Sequence, residues 1–448
     1  VTTLLELLRC PRCRGILVGE HEQLSCTGCR LELPQVGRLP WLFADPAAKL
    51  AEWQGLARIG LDDMRRDEER LKAEQRLPGL LAATMRRLRA ELQARVEHRK
   101  VVEGLLEPLL LEPVEEKVDV LRVLMGKAAA TQSLASYDQN ALRDWAWSDS
   151  EENARQLELV TSVLGAAATG VRTLLVPGAG ACRLAFDLHA ALPVERTVAA
   201  DINPYLLLIG ARMAAGKSLA LREFPRAPRA AGGEAVARRL EAPGGRAREG
   251  LDLVFADILA APFAEEAFDC VVAPWLVDIL PEDAPAVLAR LNRLVKPGGM
   301  LVYTGSTVFK RGYGRDELLE LVALRGFAVE SRREDRIPYL CSPSSCQERY
   351  ETVLSFAARK VASVEAPAPY RLLPESLVDL SRPVAMTEGM ARIRAMHAYY
   401  AEVLGLVDGR RSVSAIAAEL ASRHRLDSRI LERAVAEFLA GAHELAQS

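Results

Sequence analysis

Between Thr173 and Arg183 the chain reads Thr-Leu-Leu-Val-Pro-Gly-Ala-Gly-Ala-Cys-Arg, an apolar run that ends in a Gly-x-Gly turn. The next apolar residues (Leu184, Ala185, Leu188, Ala191 and Leu192) have the spacing of one helix face. Strand, glycine turn and helix in that order let backbone come close to a ligand, because glycine lacks Cβ and tolerates positive φ. Pro177, Gly178, Ala179 and Gly180 are the candidates for that approach. The third glycine of the dinucleotide fingerprint is missing, with Cys182 near its place, so the turn alone is a weak signal. The next unit strengthens it. Residues 194–200 read as a second buried strand that ends in Asp201-Ile202-Asn203, where an acidic side chain is placed to accept both hydroxyls of a ribose. A structural turn with a surface aspartate is the competing reading.

A chain of 448 residues should hold more than one domain and can bury a large core. Half of it is hydrophobic and its formal net charge is −2, so composition marks neither a polyanion-binding surface nor an acidic tail. Aromatic residues make up 5%, which argues against binding single-stranded nucleic acid by stacking. No apolar run reaches membrane-spanning length and no secretory signal opens the chain, so a cytoplasmic protein with no membrane partner is expected. Oligomeric state is left open.

The eight cysteines are too sparse for a disulfide scaffold, and four of them form two knuckles, Cys10-Pro-Arg-Cys13 and Cys26-Thr-Gly-Cys29. With the strand-like Ile16, Leu17 and Val18 between them, the knuckles place four thiolates around one tetrahedral ion. Zinc suits such a set, and four cysteines leave no position for water, so a structural Zn2+ is expected; disulfides or free thiols are the alternative. Residues 4–42 resemble the small zinc-ribbon proteins that activate tRNA and release-factor methyltransferases, a likeness that implies a docking surface.

From residue 44 to about 136 the pattern is helical and charged, with i, i+3, i+4 apolar spacing in 64–76 and 80–100. Pro78-Gly79 separates two helices, and Pro108 and Pro113 are expected to break the helical pattern beyond residue 100. The basic run 85–89 reads as a solvated helix face rather than a phosphate patch, and His98 receives no role. Residues 136–147 are dense in polar and aromatic groups. Trp145 and Trp147 read as staples onto the core, and the guanidinium of Arg143 suits a ligand carboxylate.

Strands are expected at 171–176, 194–200, 251–256, 268–273 and 300–305, with helices at 204–214, 281–295 and 316–325 between them. Such alternation implies a parallel sheet covered by helices on both faces. Strands at 328–333 and 352–359 come next, joined by a loop, so the last should be antiparallel. That ending separates class I methyltransferases from nucleotide dehydrogenases. The stretch 225–250, rich in Ala, Gly and Arg, reads as a mobile surface loop. Further stations fit S-adenosylmethionine: Ala256-Asp257-Ile258 at the adenine, Ala273-Pro274-Trp275 where methyl donor meets acceptor, and the Lys296-Pro-Gly-Gly turn before the fifth strand.

Residues 175–185, 268–278, 296–300 and 350–360, with Ala141-Leu-Arg-Asp-Trp145 upstream, resemble the carnosine N-methyltransferase family. The resemblance spans roughly residues 136–360. It implies transfer of a methyl group from S-adenosylmethionine to an imidazole nitrogen of a histidyl dipeptide. It also implies Asn140, Arg143, Gly178, Asp201 and Asp257 at the cofactor and Asp278 at the acceptor imidazole. A carboxylate there has a physical purpose: binding the N–H of one ring nitrogen fixes the tautomer and aims the bare lone pair of the other. A helix-start carboxylate is the plainer reading of Asp278. The chain departs from the family where a histidine would follow strand five, reading Thr307-Val-Phe-Lys310. It departs again at 337–346, which keeps Tyr339. Trp275, Lys310, Tyr339 and Tyr350 are therefore the candidate substrate contacts, and Cys341 and Cys346 read as packing residues.

After an Ala/Pro/Val-rich linker at 361–370, residues 396–406, 407–420 and 429–439 read as helix, tight turn, helix and third helix, with Asp408-Gly409 in the turn and Ser412 or Ser414 as cap. The pattern Asp-Gly-Arg-Arg-x-Val-x-x-Ile-Ala is similar to leader-peptide-binding domains of enzymes that modify ribosomally made peptides. A DNA-binding helix-turn-helix lacks the basic side chains it needs at 417–421. The expected protein is thus α/β: a class I methyltransferase Rossmann-like seven-stranded sheet (136–362), a zinc ribbon (1–44), a helical region (45–135) and a small winged-helix-like module (371–448). Its expected activity is N-methylation of a histidine imidazole or other nitrogen, in a peptide, a ribosomally made precursor included, or in a histidyl small molecule. The alternatives are methylation of RNA or a translation protein, and a non-enzymatic zinc and helix-turn-helix regulator.

Overall fold

A computed structural model describes residues 2–19, 23–112, 134–147, 151–230, 232–280, 282–307, 312–365, 374–387, 390–391, 394 and 398–445. These fall into two compact units, Val1–Ala44 with Asp63–Pro108 and Leu134–Pro369, and Asp45–Asp62 with Leu109–Ser133 and Tyr370–Ser448. Among the described residues no helix is long and apolar enough to cross a membrane.

In the first unit, β1 (Leu17–Val18), β2 (Leu24–Cys26) and β3 (Glu32–Leu33) form a small antiparallel sheet that carries the cysteine knuckles. The hairpin β4 (Gln35–Val36) and β5 (Leu39–Leu42) is next. Then come β6 (Thr173–Pro177), β7 (Arg196–Asp201), β8 (Leu219–Glu223), β9 (Val236–Leu240), β10 (Leu251–Ala256), β11 (Phe268–Pro274), β12 (Val295–Gly305), β13 (Phe327–Pro338) and β14 (Tyr350–Lys360). The main sheet has the order β13-β14-β12-β11-β6-β7-β10-β5-β4. Its seven core strands make the expected Rossmann-like methyltransferase fold. The strands from β10 to β12 are parallel, and β14 runs antiparallel to both its neighbours.

Strands buried on both faces need continuous apolar runs, and β6 is buried at all five residues. The edge strand β13 instead alternates, with Glu330, Arg332, Glu334 and Arg336 exposed, a charged rim that discourages pairing with another chain. Helices start where the sequence caps them. Asn203 accepts hydrogen bonds from Tyr205 N and Leu206 N ahead of Pro204–Ala214, and Asp283 accepts one from Ala284 N ahead of Ala284–Leu294. Leu175, Val198, Val254, Val271, Leu301 and Phe356 belong to one buried cluster through the sheet.

The structure adds to the expected sheet and corrects several local readings. The seven-stranded sheet gains two strands, because β5 lies parallel beside β10 with Trp41 opposite Phe255 and Leu42 opposite Ala256. Residues 1–44 therefore share a sheet with the methyltransferase-like core, and the 45–135 region is divided between the two units. The expected loop at 225–250 contains β9, which pairs antiparallel with β8 from Leu219↔Leu240 to Glu223↔Val236. Pro108 does not end its helix, which runs Ala82–Leu110; Pro113 lies outside the described residues. The Lys296-Pro-Gly-Gly segment is taken into β12 instead of preceding it. His98 is buried, and its Nδ1 accepts a hydrogen bond from Arg222 N at 3.3 Å. The 85–89 run exposes Arg86, Arg87 and Arg89 and buries Leu88, as a solvated helix face does.

The second unit contains the helices Glu375–Val378, Ala398–Gly405, Val413–His424 and Ser428–Leu445 around Tyr400, Leu404, Ile416, Leu420, Val435 and Phe438. Asp408 closes the turn by accepting Arg410 N and Arg411 N, each at 2.9 Å, and Ser412 caps the next helix through Ala415 N. Its strand component, among the described residues, is one antiparallel bridge, Pro383↔Ser412.

Candidate active site and metal centre

The carboxyl ends of β6, β7, β10 and β11 meet at one rim of the sheet. After β6, Gly178 has φ +64°, and a Cβ there would stand 2.7 Å from Leu276 Cδ1; only glycine fits that turn without displacement. Ala179 N donates to Ala200 O at 3.1 Å, which ties the turn to the tip of β7. Asp201 is fixed by two amides, Gly180 N on Oδ2 at 2.7 Å and Asn203 N on Oδ1 at 2.8 Å. Burial pushes its carboxyl up to about 6 against the pull of those amides. Ile202 lies between these residues at the strand tip. The Nδ2 of Asn203 is buried and has no hydrogen-bond partner among the described residues.

The helix Leu134–Trp145 brings polar groups to the same end. Trp145 Nε1 donates to Ala181 O at 2.8 Å, and Trp147 Nε1 to Glu223 Oε2 at 3.3 Å, so both indoles are anchored as expected. Tyr137, which no sequence pattern singles out, is pushed up to about 12 by burial, with the Asp201 charge adding to it. Asn140 is half-buried on the same helix. Arg143 is engaged by protein carboxylates, Asp144 at 2.7 Å and Glu152 at 3.5 Å. Burial works against its charge, and these two carboxylates more than restore it. Glu152, also unforeseen, is fully buried, accepts Leu340 N at 2.7 Å, and is pushed up to about 7 by burial. Nothing in its sequence neighbourhood signals this; the contact joins residues 188 positions apart.

At the end of β10, Asp257 Oδ1 accepts Leu259 N at 2.8 Å and opens a single 3-10 turn, Ile258–Ala260, with Ile258 buried. At the end of β11, Pro274 stands opposite Thr304 of β12, and Trp275 takes a left-handed backbone, φ +47°. The Trp275 ring lies 4.7 Å from that of Tyr339, and Arg349 covers the Tyr339 ring at 4.6 Å. Asp278 lies three residues further on. Its Oδ1 and the Trp275 Nε1 are both buried with no hydrogen-bond partner among the described residues. Burial pushes the Asp278 carboxyl up to about 6, with the Glu351 charge assisting. The structure thus brings the Trp275 and Tyr339 rings together, and the Asp278 charge acts on Tyr339. Tyr350 is exposed, its ring against Arg336 at 4.6 Å, and Lys310 lies outside the described residues.

The four knuckle cysteines are unbridged, and their Sγ atoms all lie within 4.8 Å of one another. Cys10 and Cys29 Sγ are 3.6 Å apart and Cys13 and Cys26 Sγ 3.4 Å, near the ~3.7 Å edge of a tetrahedron with Zn–S bonds. Gly28 N points at Cys26 Sγ at 3.3 Å, and a Cβ on Gly15 would crowd Cys26 Sγ at 3.0 Å. The donor set fits a single thiophilic ion.

Residues 175–303 match the family described as methyltransferase domain. No curated protein matches the chain. Among solved structures, a TehB-like S-adenosylmethionine-dependent methyltransferase of Corynebacterium glutamicum is 17% identical, with 50% of this chain and 98% of that one covered and a TM-score of 0.31. An S-adenosylmethionine-dependent methyltransferase of Methanosarcina mazei is 12% identical, with 42% and 92% covered and a TM-score of 0.30. The assignment is carried by the family match together with the strand order and the Asp201 tip. Residues 175–303 therefore form a methyltransferase domain of the S-adenosylmethionine-dependent class.

Proposed function

We propose that this domain methylates a ring nitrogen of histidine, in a peptide or histidyl small molecule. The observation that carries the reading is the Asp278 carboxylate, with one oxygen buried and without a hydrogen-bond partner among the described residues and its charge acting on Tyr339, whose ring meets that of Trp275. A buried acceptor without a donor costs stability unless a ligand satisfies it, and a flat ring bearing an N–H satisfies this one. When bound, S-adenosylmethionine would supply an electrophilic methyl group on a sulfonium, for transfer to the ring nitrogen with the neutral thioether as leaving group. Asp278 accepts the N–H of the other ring nitrogen, holds the reactive tautomer, and stabilises the imidazolium that develops before taking its proton. Trp275 and Tyr339 hold the ring plane, so that much of the acceleration comes from placement.

In this reading the cofactor is held by Pro177, Gly178, Ala179, Gly180, Asp201, Ile202 and Asn203 at its ribose and amino-acid portion, and by Asp257 and Ile258 at its adenine. Asn140, Arg143 and Pro274 close the site. Gly178 and Gly180 keep side chains out of the approach, and Asp201 keeps spare lone pairs beyond its two amide bonds. The four thiolates hold a structural Zn2+. The Asp408 turn and three-helix arrangement support the second unit as a leader-binding module, which makes a ribosomally made precursor peptide the favoured substrate.

The test is methylation of histidine-containing peptides by the full chain with isotope-labelled S-adenosylmethionine, the product located by fragment mass spectrometry. The label is expected on an imidazole nitrogen, and Asp278→Asn is expected to lower kcat by about 10²-fold. Label on oxygen or sulfur, or an Asp278→Asn variant at full rate, rejects the reading.

A further inference from the structure

The knuckle Cys10-Pro-Arg-Cys13 ends on Arg14, whose backbone is left-handed at φ +66° and whose amide donates to Cys10 O at 2.9 Å. The Arg14 guanidinium reaches the loop after β10. Its Nη1 donates to Ala261 O and its Nη2 to Phe263 O, two carbonyls spaced to fit one fork. Arg14 forms no ion pair among the described residues; its donors go to backbone. The same loop is also held by an antiparallel bridge between Leu8 and Phe263, in which Arg9 N donates to Pro262 O at 2.8 Å and Ala264 N to Leu7 O at 2.7 Å. Phe263 is fully buried against Phe268, ring centroids 5.4 Å apart. This loop begins at Asp257 and carries Ile258, the two residues that hold the adenine in the proposed cofactor site.

We propose that Arg14 is a positioning residue for the adenine side of the cofactor site, and that metal bound by the four thiols sets cofactor affinity through it. The inference rests on the assignment of Asp257 and Ile258 to the cofactor. Arg14 N donates to Cys10 O and Cys10 N to Gly15 O, each within the knuckle; an ion tying Cys10 and Cys13 to Cys26 and Cys29 fixes that turn to the rest of the small sheet. The knuckle is thereby a splint on the binding loop, and a docking role for other proteins is not required to explain it.

The test uses the full chain and reads S-adenosylhomocysteine affinity by calorimetry, with bound zinc quantified in every sample. Arg14→Ala is expected to keep its zinc and bind about tenfold more weakly, the loss of two hydrogen bonds that hold the loop. Chelation of the wild-type protein is expected to produce a loss of the same size, and chelation of Arg14→Ala no further loss. Hydrogen exchange at residues 258–264 should quicken in both. Zinc-loaded Arg14→Ala with wild-type affinity overturns the proposal, as does a chelated protein that keeps its affinity. If chelation unfolds the chain, the zinc-loaded variant decides alone. Wild-type protein that binds no S-adenosylhomocysteine overturns the cofactor assignment itself, and this inference with it.

Discussion

Asp201, Glu152 and Asp278 are buried deeply enough that lost hydration outweighs the donors around them, and each carboxyl is held above its ordinary range, near 6, 7 and 6. For Glu152 this has a direct consequence for stability. Its folded-state value lies above the unfolded one, so the native state binds its proton more tightly; the contribution is full below pH 4.5 and is lost as pH rises through about 7. Glu152→Gln keeps an acceptor for Leu340 N and removes the charge. Its stability should match the wild type near pH 4 and exceed it at pH 8 by about 1–3 kcal/mol in urea unfolding. For Asp278 the same elevation falls on catalysis. kcat should rise through about pH 6 as the carboxylate ionises, and Asp278→Asn should retain only the limb that belongs to the substrate imidazole. Asp201→Ala should cost about a hundredfold or more in S-adenosylhomocysteine affinity, read by calorimetry, through the loss of two charge-assisted ribose hydrogen bonds.

At the scale of elements, the turn after β6 is the most tightly specified. Gly178→Ala puts a Cβ against Leu276 at a positive φ, and the expected loss is about 1–2 kcal/mol in unfolding free energy. This turn, the Asp201 tip and the order of strands are legible in the sequence because each is a local pattern. Apolar runs mark strands buried on both faces, glycines mark backbone that must turn left-handed, and Asn203 or Asp283 mark helix starts. The hairpin of β8 and β9 is not legible, since Val236-Ala-Arg-Arg-Leu240 carries arginines where a strand needs burial, and it is a strand only because Leu219–Glu223 pairs with it. Pro108 misleads for a related reason. It sits within the last turn of a helix that ends at Leu110, so the helix forgoes one amide hydrogen bond and ends two residues later.

On the scale of the whole molecule, the first unit joins its four-cysteine segment to the central sheet through β5, which makes the knuckles part of the methyltransferase domain's frame. The second unit has its own core of Tyr400, Ile416, Leu420 and Phe438. Were it to capture a leader peptide, hydrogen exchange of the full chain with its precursor should show slowed exchange in Val413–His424 or Ser428–Leu445; exchange unchanged across both helices would reject that role. The chain by itself determined which residues belong to each local device, namely the knuckles, the Gly-x-Gly turn, the strand-tip aspartates and the Asp408 turn, because each depends on side chains a few positions apart. Only the tertiary structure decided that Glu152 holds Leu340, that Arg143 is engaged by Asp144 and Glu152, that Asp278 Oδ1 and Trp275 Nε1 are each buried without a partner among the described residues, and that Arg14 reaches the loop after β10. The Glu152 and Arg14 contacts join residues 188 and 247 positions apart, and even the short-range ones depend on burial, which exists only once distant segments are brought together.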